Sequence, residues 1–448
     1  MNTFDVAIIG GGPAGYSAAE KAAKAGLKVI LFEKEAIGGV CLNEGCIPTK
    51  TLLHTAKLYD SMKSASKYGL YCPEFTYDLS RIMSRKLRVV RKLNAGIRRR
   101  LLDGGVTSIY SEAHIESYTV DAVQIRALDE MYSARYLILA SGSHSVIPPI
   151  EGIEKVDYWS SREALQTDHI PDHLLIVGGG VIGMEFASFF TSMGSKVTVV
   201  EMMPEILAGM DTEIACLYRQ DCESKGVAFY LESQVKSVSD HVAIVQQAGG
   251  EEVEITFDKL LLAAGRKPNL DVLGCLPVVC NNKGVQVTCN MQTSLEHVYA
   301  CGDITGFSML AHTAEREAIV AVNHILGVED AMRYRAIPGV LYASPEVASV
   351  GYTQEQLDQL NVKYDVKKIP MTYAGRFVVE NENFVGLCKV LIDEHEKILG
   401  VHILGTPASE LIVAAAMAIE QRLSVDQWQK TVFPHPTVAE VMKETLSH

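Results

Sequence analysis

One pattern occurs twice in this chain of 448 residues and constrains its fold more than any other feature. An apolar strand leads into a glycine-rich turn, and then an apolar helix and a second strand that ends in glutamate follow. The two turns lie at residues 10–15 and 178–183, and the two glutamates are Glu33 and Glu201. The spacing from the first glycine to the glutamate is the same in both copies. Each copy predicts a parallel, doubly wound α/β domain, so we expect two Rossmann-like domains.

Both turns have the pattern Gly-x-Gly-x-x-Gly, in which each glycine serves a separate purpose. The first permits a tight turn, the second lets the backbone approach a pyrophosphate, and the third lets helix and strand pack closely. The pyrophosphate then lies at the helix N-terminus, and the acid accepts hydrogen bonds from ribose hydroxyls. One such turn alone could be structural, but two copies with matching acids predict two dinucleotide sites. The predicted contacts are Gly10, Gly12, Gly15 and Glu33 in the first copy and Gly178, Gly180, Gly183 and Glu201 in the second.

The second acid indicates which nucleotide the second site accepts. A carboxylate at Glu201 would repel the additional phosphate of NADP, and the residues that follow it, Met202-Met203-Pro204, include no Arg or Lys. The sequence therefore predicts that the second site binds NAD.

Later segments divide the chain further. Two apolar strands end alike, one running into Ser141-Gly142-Ser143 and the other into Ala264-Gly265-Arg266, and we expect each to close a dinucleotide-binding unit. From about Ile337 onward, short alternating strands at 340–342, 384–392 and 398–404 precede helical stretches, which predicts an α+β domain. The expected divisions are a first dinucleotide-binding domain (1–147), a second (148–268), a central segment that completes the first site (269–336) and a C-terminal α+β domain (337–448).

Charge and hydropathy argue against two classes of partner. The formal net charge of −13 would be repelled by a phosphate backbone, so we expect no nucleic acid. The run 81–100 holds nine Lys or Arg and no acid, but its apolar residues fall at helical spacing, which favours a helix with a solvated basic face over a binding patch. No apolar stretch approaches ~20 residues, so we expect no membrane span. The N-terminal residues show no targeting signal, and the expected location is the cytoplasm.

The segment from Gly38 to Lys50 carries the most chemical information. It contains Cys41 and Cys46, separated by four residues, and is rich in glycine. Zinc sites favour closer pairs with more ligands nearby, and the ten cysteines of the chain are too scattered for a secreted disulfide framework. Residues after Cys46 look helical, so a thiolate there would be stabilised by the helix N-terminus. Two buried thiols are the alternative, but beside two dinucleotide sites the pair predicts a redox disulfide.

A redox disulfide needs an acid–base partner, because the thiolate is the nucleophile and must exchange protons. The best candidate is His435, which lies between Pro434 and Pro436. Glu440 could hydrogen-bond one ring nitrogen and fix the tautomer, which would leave the other nitrogen for a sulfur. On its own, a histidine in a proline-rich turn is more often structural.

Together these segments resemble the pyridine nucleotide-disulfide oxidoreductases over nearly the whole chain. Further similar segments lie at 265–269, 299–303, 309–312, 345–348 and 405–410. The redox segment is most similar to that of the dihydrolipoamide dehydrogenase branch of the family. The resemblance implies FAD in the first site and NAD in the second, and a C-terminal domain that pairs two chains as a homodimer.

The resemblance also implies residue roles. Cys41 would be the interchange thiol that meets substrate, and Cys46 would lie against the flavin. Lys50 and Glu185 would pair beside the reactive nitrogen of the flavin, and His435 with Glu440 would act from the other subunit. The remaining implied cofactor contacts are Ser141, Gly142, Gly265, Asp303 at the ribityl chain, Met309, Leu310 and Ala311. No metal site is expected.

The implied reaction is the oxidation of protein-bound dihydrolipoamide, with reduction of NAD. The partner would be the lipoylated carrier domain of a 2-oxoacid dehydrogenase or glycine cleavage complex. Another NAD(P)H-dependent disulfide reductase of the family is the alternative, and so is a non-catalytic binding subunit, which the intact cysteines and histidine disfavour. A glutathione reductase would be expected to have basic residues near position 201 to bind NADPH. A mercuric reductase typically has a C-terminal cysteine pair, whereas no cysteine follows Cys388.

Three residues depart from the pattern of the family. They are Glu44 inside the redox loop, Ser111 and Phe377. We expect them to affect redox poise, the fit of FAD and the mouth of the substrate site respectively, but not the class of reaction.

Overall fold

The structure is a computed structural model that describes residues 2–71, 74–381 and 385–448. Within these ranges the strands are β1 (Asn2–Ile9), β2 (Val29–Phe32), β3 (Thr107–Ile109), β4 (His114–Tyr118), β5 (Val123–Ala127), β6 (Glu130–Leu139), β7 (Ser143–Ser145), β8 (Tyr158–Trp159), β9 (His173–Val177), β10 (Lys196–Val200), β11 (Ala228–Tyr230), β12 (Gln234–Ser239), β13 (Val242–Gln246), β14 (Glu252–Thr256), β15 (Lys259–Leu262), β16 (Arg266–Pro268), β17 (Val298–Ala300), β18 (Gly339–Leu341), β19 (Val347–Gly351), β20 (Tyr364–Pro370), β21 (Leu387–Asp393) and β22 (Ile398–Leu404).

The α-helices of the same ranges are α1 (Pro13–Lys24), α2 (Gly39–Glu44), α3 (Cys46–Lys63), α4 (Leu79–Asp103), α5 (Ser161–Ala164), α6 (Val181–Met193), α7 (Thr212–Ser224), α8 (Ala311–Ile325), α9 (Gln354–Gln359), α10 (Gly375–Glu380), α11 (Ala408–Glu420), α12 (Val425–Gln429) and α13 (Glu440–Ser447). None of these helices combines the length and the apolar character that crossing a membrane requires. The chain divides into two compact units. The first comprises residues up to 51, 81–146 and 265–333, and the second comprises 52–80, 147–264 and 334 onward.

The first unit is built on a mixed sheet in the order β3-β2-β1-β6-β5-β4, with β17 also paired to β6. β1 runs parallel to both β2 and β6, so that Ile8 faces Leu31 on one side and Ile138 on the other. The paired segments 6–9, 29–32 and 137–139 are apolar and buried, because a central parallel strand is buried on both faces. Helix α1 packs against β1, β2 and α8. The predicted parallel domain is therefore present, and β4 and β5 extend its sheet in antiparallel fashion.

The second unit contains the second predicted parallel sheet, in the order β11-β10-β9-β15-β8. Lys196 to Val200 pairs residue by residue with His173 to Val177, as the repeat predicts. Helix α6 packs against β9 and β10. A three-stranded antiparallel sheet, β12-β13-β14, shares a buried apolar cluster with this parallel sheet. The fold of the repeat is thus the same in both units.

The C-terminal part of the second unit is an antiparallel sheet, β18-β19-β22-β21-β20, covered by α11 and α13. The expected α+β texture is confirmed, and the predicted strand 398–404 is β22. The strand predicted from residue 384 is β21, which begins at Leu387, and Phe384 lies outside the described residues. The side chain of Phe377 is buried in the apolar cluster of this domain, and its expected effect on the substrate mouth stays a prediction.

The basic run forms α4, the longest helix in the described part of the chain, as its spacing predicts. Its basic residues are exposed with one exception, because Lys86 is buried. Burial lowers the pKa of the Lys86 ammonium. The helical periodicity was therefore sufficient to predict the element, but not the burial of one of its charged residues.

Candidate functional site

The first glycine turn is closed by contacts that leave no space for a side chain at its first or third glycine. Gly10 follows β1 with φ of +105°, and its N–H donates to the carbonyl of Phe32 at 2.8 Å. A Cβ on Gly10 would lie 2.1 Å from the carbonyl oxygen of Ala140, and one on Gly15 would lie 1.7 Å from that of Gly10. Both atoms are backbone, so neither can move aside at low cost. Glycine is therefore required at the first and third positions by the packing of the protein backbone.

The second turn repeats this geometry. Gly178 has φ of +111°, and its N–H donates to the carbonyl of Val200 at 2.9 Å. A Cβ on Gly178 would lie 2.4 Å from the carbonyl oxygen of Ala263, and one on Gly183 would lie 2.0 Å from that of Gly178. Ala140 directly follows β6 and Ala263 directly follows β15, which are the two strands that the sequence pairs as equivalent.

The middle glycines, Gly12 and Gly180, have a different environment. A Cβ on Gly12 would meet only the Cα of Gly39, at 3.8 Å, and a Cβ on Gly180 would meet no described atom within 4 Å. Each precedes a helix to which no described side chain contributes an N-terminal cap. A glycine that the protein does not need for packing, beside uncapped helical N–H groups, fits the close approach of a pyrophosphate.

The two acids are held in the same way. Glu33 accepts hydrogen bonds from the N–H groups of Gly11 and Glu35, both at 2.7 Å. Glu201 accepts from the N–H groups of Gly179 at 2.6 Å and Met203 at 2.8 Å. Each carboxylate is thus fixed beside the glycine turn by the backbone. A carboxylate has about four lone-pair sites, so each can still accept from ribose hydroxyls.

Cys41 and Cys46 form a disulfide with a Cα–Cα distance of 4.7 Å. Cys41 lies on the short helix α2, and Cys46 is the first residue of α3. The amide of Asn43 donates to the carbonyls of Gly39 at 2.9 Å and Ile37 at 3.1 Å, which fixes the loop between the glycines and the cysteines. After reduction, a thiolate at Cys46 would lie at the N-terminus of an 18-residue helix, where the backbone dipoles favour negative charge.

Asp303 belongs to a partly buried polar network of the first unit. Its carboxylate accepts a 2.5 Å hydrogen bond from the hydroxyl of Ser143. Arg266 donates to the hydroxyl and the carbonyl oxygen of Ser143, both at 2.7 Å. The N–H of Gly302 donates to the buried carboxylate of Glu317 at 2.6 Å, which fixes the turn that carries Asp303.

The other cofactor residues predicted in this unit surround its strand and helix ends. Strands β7 and β16 pair antiparallel, and the hydroxyl of Ser141 donates to the carbonyl of Asn269 at 2.9 Å. A Cβ on Gly142 or Gly265 would meet no described atom within 4 Å. Leu310 precedes α8 and Ala311 begins it, with Met309 directly before them.

The C-terminal candidate is a preformed dyad within the second unit. Nδ1 of His435 lies 2.8 Å from Oε1 of Glu440, and the His435 side chain is 79% exposed. The N–H of Thr437 donates to Oε2 of Glu440 at 2.8 Å. These two hydrogen bonds, from Thr437 and from His435, hold the pKa of Glu440 below its ordinary value. An ionised Glu440 accepts the Nδ1 proton, which leaves Nε2 as the acid–base atom.

Lys50 and Glu185 lie in different units. Lys50 is half-buried near the start of α3, and Glu185 is buried on α6. Oε1 of Glu185 accepts from the N–H of Tyr342 at 3.3 Å. The expected ion pair between Lys50 and Glu185 stays a prediction.

The matches to known proteins agree with this geometry. A family model described as pyridine nucleotide-disulphide oxidoreductase matches residues 4–318, and the model of its dimerisation domain matches residues 337–446. The chain belongs to the pyridine nucleotide-disulphide oxidoreductase family. It is therefore an oxidoreductase whose cofactors are FAD and NAD, and it carries the dimerisation domain of the family.

Relatives within this family match over nearly their whole length. The chain is 37% identical to the dihydrolipoyl dehydrogenase of Thermus scotoductus, over 99% of this chain and 97% of that protein. It is also 37% identical to the mitochondrial dihydrolipoyl dehydrogenase of Pisum sativum, over 98% of this chain and 90% of that protein. Among solved structures it resembles LpdA from Mycobacterium tuberculosis with a TM-score of 0.91 and 26% identity, over 100% and 99%. It also resembles the HOCl-induced flavoprotein disulfide reductase RclA from Escherichia coli, with a TM-score of 0.85 and 27% identity over 99% of each chain.

Sequence reasoning missed some members of the site that the family fold brings together. Ser143 and Arg266 lie in segments that the sequence singled out, but the hydrogen bonds of Arg266 to Ser143 and of Ser143 to Asp303 were not predicted. Their signal was the presence of polar residues just after two equivalent strand ends. Glu317 gave no signal, because a buried glutamate on a helix cannot be distinguished by spacing from an exposed one.

Proposed function

We propose that this chain is a dihydrolipoamide dehydrogenase that oxidises dihydrolipoamide to lipoamide and reduces NAD+ to NADH. The observation that carries the proposal is the Cys41–Cys46 disulfide at the start of a helix, in the same unit as the first dinucleotide turn. The similarity to dihydrolipoyl dehydrogenases over nearly the full chain supports the choice of substrate. FAD supplies the chemistry that carries an electron pair between a dithiol and a nicotinamide.

The cysteines and the dyad divide the thiol chemistry between them. One sulfur of dihydrolipoamide attacks Cys41, the Cys41–Cys46 bond breaks, and Cys46 leaves as a thiolate. His435 takes the proton of the attacking thiol on Nε2, while Glu440 stabilises the imidazolium that forms. The second substrate sulfur then attacks the first, the bond from the first sulfur to Cys41 breaks, and the proton of the second thiol passes to Cys41 as lipoamide is released. The electron pair of the substrate is now on the cysteine pair.

The remaining residues bind and orient the cofactors. Around FAD we place Gly10, Gly12, Gly15, Glu33, Lys50, Ser141, Gly142, Asp303, Met309, Leu310 and Ala311, with Gly265 at the adjacent strand end. Gly178, Gly180, Gly183 and Glu201 hold the nicotinamide nucleotide. Glu201 favours NAD because the additional phosphate of NADP would meet a carboxylate that the backbone already fixes. Lys50 and Glu185 would form an ion pair beside the flavin. We also propose the four domain divisions that the sequence predicts.

A substrate panel tests this proposal. We expect rapid NADH oxidation with lipoamide, rapid NAD+ reduction with dihydrolipoamide, and little activity with oxidised glutathione. NADPH should support much slower turnover than NADH. Activity with another disulfide but none with lipoamide would instead favour the second candidate, a disulfide reductase of the same family, which the similarity to RclA over 99% of each chain makes reasonable.

The proposed partner is the lipoylated carrier domain of a 2-oxoacid dehydrogenase or glycine cleavage complex. We further propose a homodimer in which His435 and Glu440 of one subunit serve the cysteines of the other, because the dyad lies in the matched dimerisation domain. Two-fold symmetry would give two shared sites per dimer.

Mixed dimers distinguish a shared site from one built by a single chain. Chains with Cys41→Ser and chains with His435→Gln, each nearly inactive alone, are unfolded and refolded together with FAD. If the site is shared, each mixed dimer has one doubly damaged site and one intact site, so activity returns. If His435 serves its own chain, both sites carry one lesion and activity stays low, and such a result in verified mixed dimers would refute the shared site.

A further inference from the structure

The redox loop contains a carboxylate at the junction of its two helices. Glu44 is the last residue of α2, Gly45 follows it, and Cys46 begins α3. Two residues of chain place the Cα atoms of Glu44 and Cys46 no more than about 7 Å apart. This chain therefore has an acid beside both cysteines of the disulfide, at a position where it departs from the pattern that the family resemblance implies.

A half-buried cation, Arg266, contributes to the electrostatic surroundings of this carboxylate. Arg266 is bonded to Ser143, which in turn donates to Asp303. Burial lowers the pKa of the Arg266 guanidinium, while the negative charges of Asp303 and Glu44 oppose that shift. Glu44 is thus within electrostatic reach of a cation that Asp303 already balances.

We propose that Glu44 sets the reduction potential of the Cys41–Cys46 pair by opposing the negative charge that forms on Cys46 during reduction. The proposal rests on the redox function proposed above for this pair. Reduction by an external dithiol takes two electrons and one proton to leave Cys41 as a thiol and Cys46 as a thiolate, while the dithiol becomes a disulfide and releases its second proton. The product carries one more negative charge than the disulfide. A nearby carboxylate raises the free energy of that product, so it keeps the pair harder to reduce.

The test measures the dithiol–disulfide equilibrium of the cysteine pair directly. Holoprotein is equilibrated with mixtures of reduced and oxidised dithiothreitol, its thiols are trapped by alkylation, and the fraction of reduced Cys41 and Cys46 is determined by mass. We expect Glu44→Gln to favour the reduced pair by about tenfold, which corresponds to a potential about 30 mV higher. Glu44→Asp retains the charge and should stay close to the wild-type protein.

Two further variants separate charge from packing. Glu44→Val restores the apolar residue usual in the family and should move the equilibrium in the same direction as Glu44→Gln, so it serves if the glutamine variant loses FAD. Glu116→Gln is the matched control, because Glu116 is an exposed acid of the same unit paired with Arg126. It removes one negative charge away from the redox loop and should leave the equilibrium unchanged.

A second readout needs no cofactor turnover. In the Cys41→Ser background, the alkylation rate of Cys46 against pH reports its thiolate, and Glu44→Gln should raise the ratio of thiolate to thiol about tenfold at a given pH. Unchanged equilibria in both Glu44→Gln and Glu44→Val would overturn the proposal, and so would an equal shift in Glu44→Asp. Because neither assay uses lipoamide or NAD, a protein that fails the substrate panel still gives a definite result here.

Discussion

The two glycine turns have the same internal geometry, but the loops that follow their acids differ. Both loops return to the turn, since the N–H of Gly38 donates to the carbonyl of Gly11 at 2.7 Å and that of Leu207 donates to the carbonyl of Gly179 at 2.9 Å. The first loop then crosses Gly12 so closely that a Cβ on Gly39 would lie 2.7 Å from its Cα, and it continues into the redox helices. The second loop leaves Gly180 open.

This difference separates a covered dinucleotide site from an open one. The covered turn fits a cofactor that stays bound beside the disulfide, and the open turn fits a nucleotide that must enter and leave in each cycle. Met202 and Met203, which follow the second acid, are 67% and 50% exposed, whereas the first loop carries Cys41 and Cys46. Under the proposed function, the same glycine turn and acid would serve two different purposes, which the loop after the acid determines.

The largest expected effect comes from the cysteines of the covered loop. Cys41→Ser and Cys46→Ser should each lower lipoamide–NADH turnover by about 10³-fold or more, because each removes one half of the disulfide. The variants should differ in their spectra. Two-electron reduction should give a long-wavelength thiolate-to-flavin band in Cys41→Ser, where Cys46 remains, and none in Cys46→Ser. Cys275→Ser, at an exposed thiol of the same unit, should behave as wild type. The reverse spectral pattern would mean that the two roles are exchanged.

The next effect concerns the third glycine of each turn. Gly15→Ala and Gly183→Ala both force a Cβ against a backbone oxygen, at 1.7 and 2.0 Å, so each should destabilise its own unit by about 1–3 kcal/mol or more. Gly15→Ala should lose FAD on gel filtration, whereas Gly183→Ala should retain FAD and bind NADH weakly. Absorbance of bound flavin and thermal unfolding measure these outcomes.

Gly96→Ala is the matched control for these two substitutions. Gly96 lies within helix α4 and a Cβ there would meet no described atom within 4 Å, so alanine should raise stability by about 0.5–1 kcal/mol. Retention of FAD by Gly15→Ala at wild-type stability would contradict the steric argument for the covered turn.

The sequence predicts this repeated geometry well, because it depends on local pattern. The glycines, the acids, strand 196–200 and the helix after Cys46 are encoded within short segments, and the geometry of each is as predicted. The hydrogen bond between His435 and Glu440 was predictable for the same reason, since only four residues lie between them.

Features that depend on contacts distant in sequence were not predictable. The burial of Lys86 and Phe377 results from surfaces contributed by other elements, which periodicity within one helix does not indicate. The hydrogen bonds of Ser143 with Arg266 and Asp303 connect positions 123 and 160 residues apart. No pattern in a single sequence specifies hydrogen bonds between residues so far apart along the chain.

A moderate effect is expected at the acid of the open turn. Glu201→Gln should reduce the preference for NADH over NADPH, measured as the ratio of kcat/KM values, by about 10- to 100-fold, because hydrogen bonds to charged groups contribute about 1.5–3 kcal/mol. Glu33→Gln alters the corresponding acid of the covered turn and should leave this ratio unchanged while weakening FAD retention. Specificity constants for the two nucleotides that agree within a few-fold in the wild-type protein would refute the assignment of Glu201.

The smallest effect, and the sharpest comparison, is expected at the middle glycines. Gly12 and Gly180 have nearly equal extended conformations, with φ of −71° and −72°, which alanine adopts without strain. Because an added methyl group would make at most an ordinary contact with the protein, both alanine variants should unfold within about 0.5 kcal/mol of wild type in the absence of nucleotides. The methyl group would instead occupy space that the pyrophosphate needs, so each variant should lose affinity for its own dinucleotide by about tenfold or less. Gly180→Ala should raise the Kd for NADH and retain FAD, and Gly12→Ala should release FAD more readily and leave the NADH Kd unchanged. Wild-type NADH affinity in Gly180→Ala would show that the pyrophosphate does not lie at the open turn, and the contrast between a covered and an open dinucleotide site would then lose its basis.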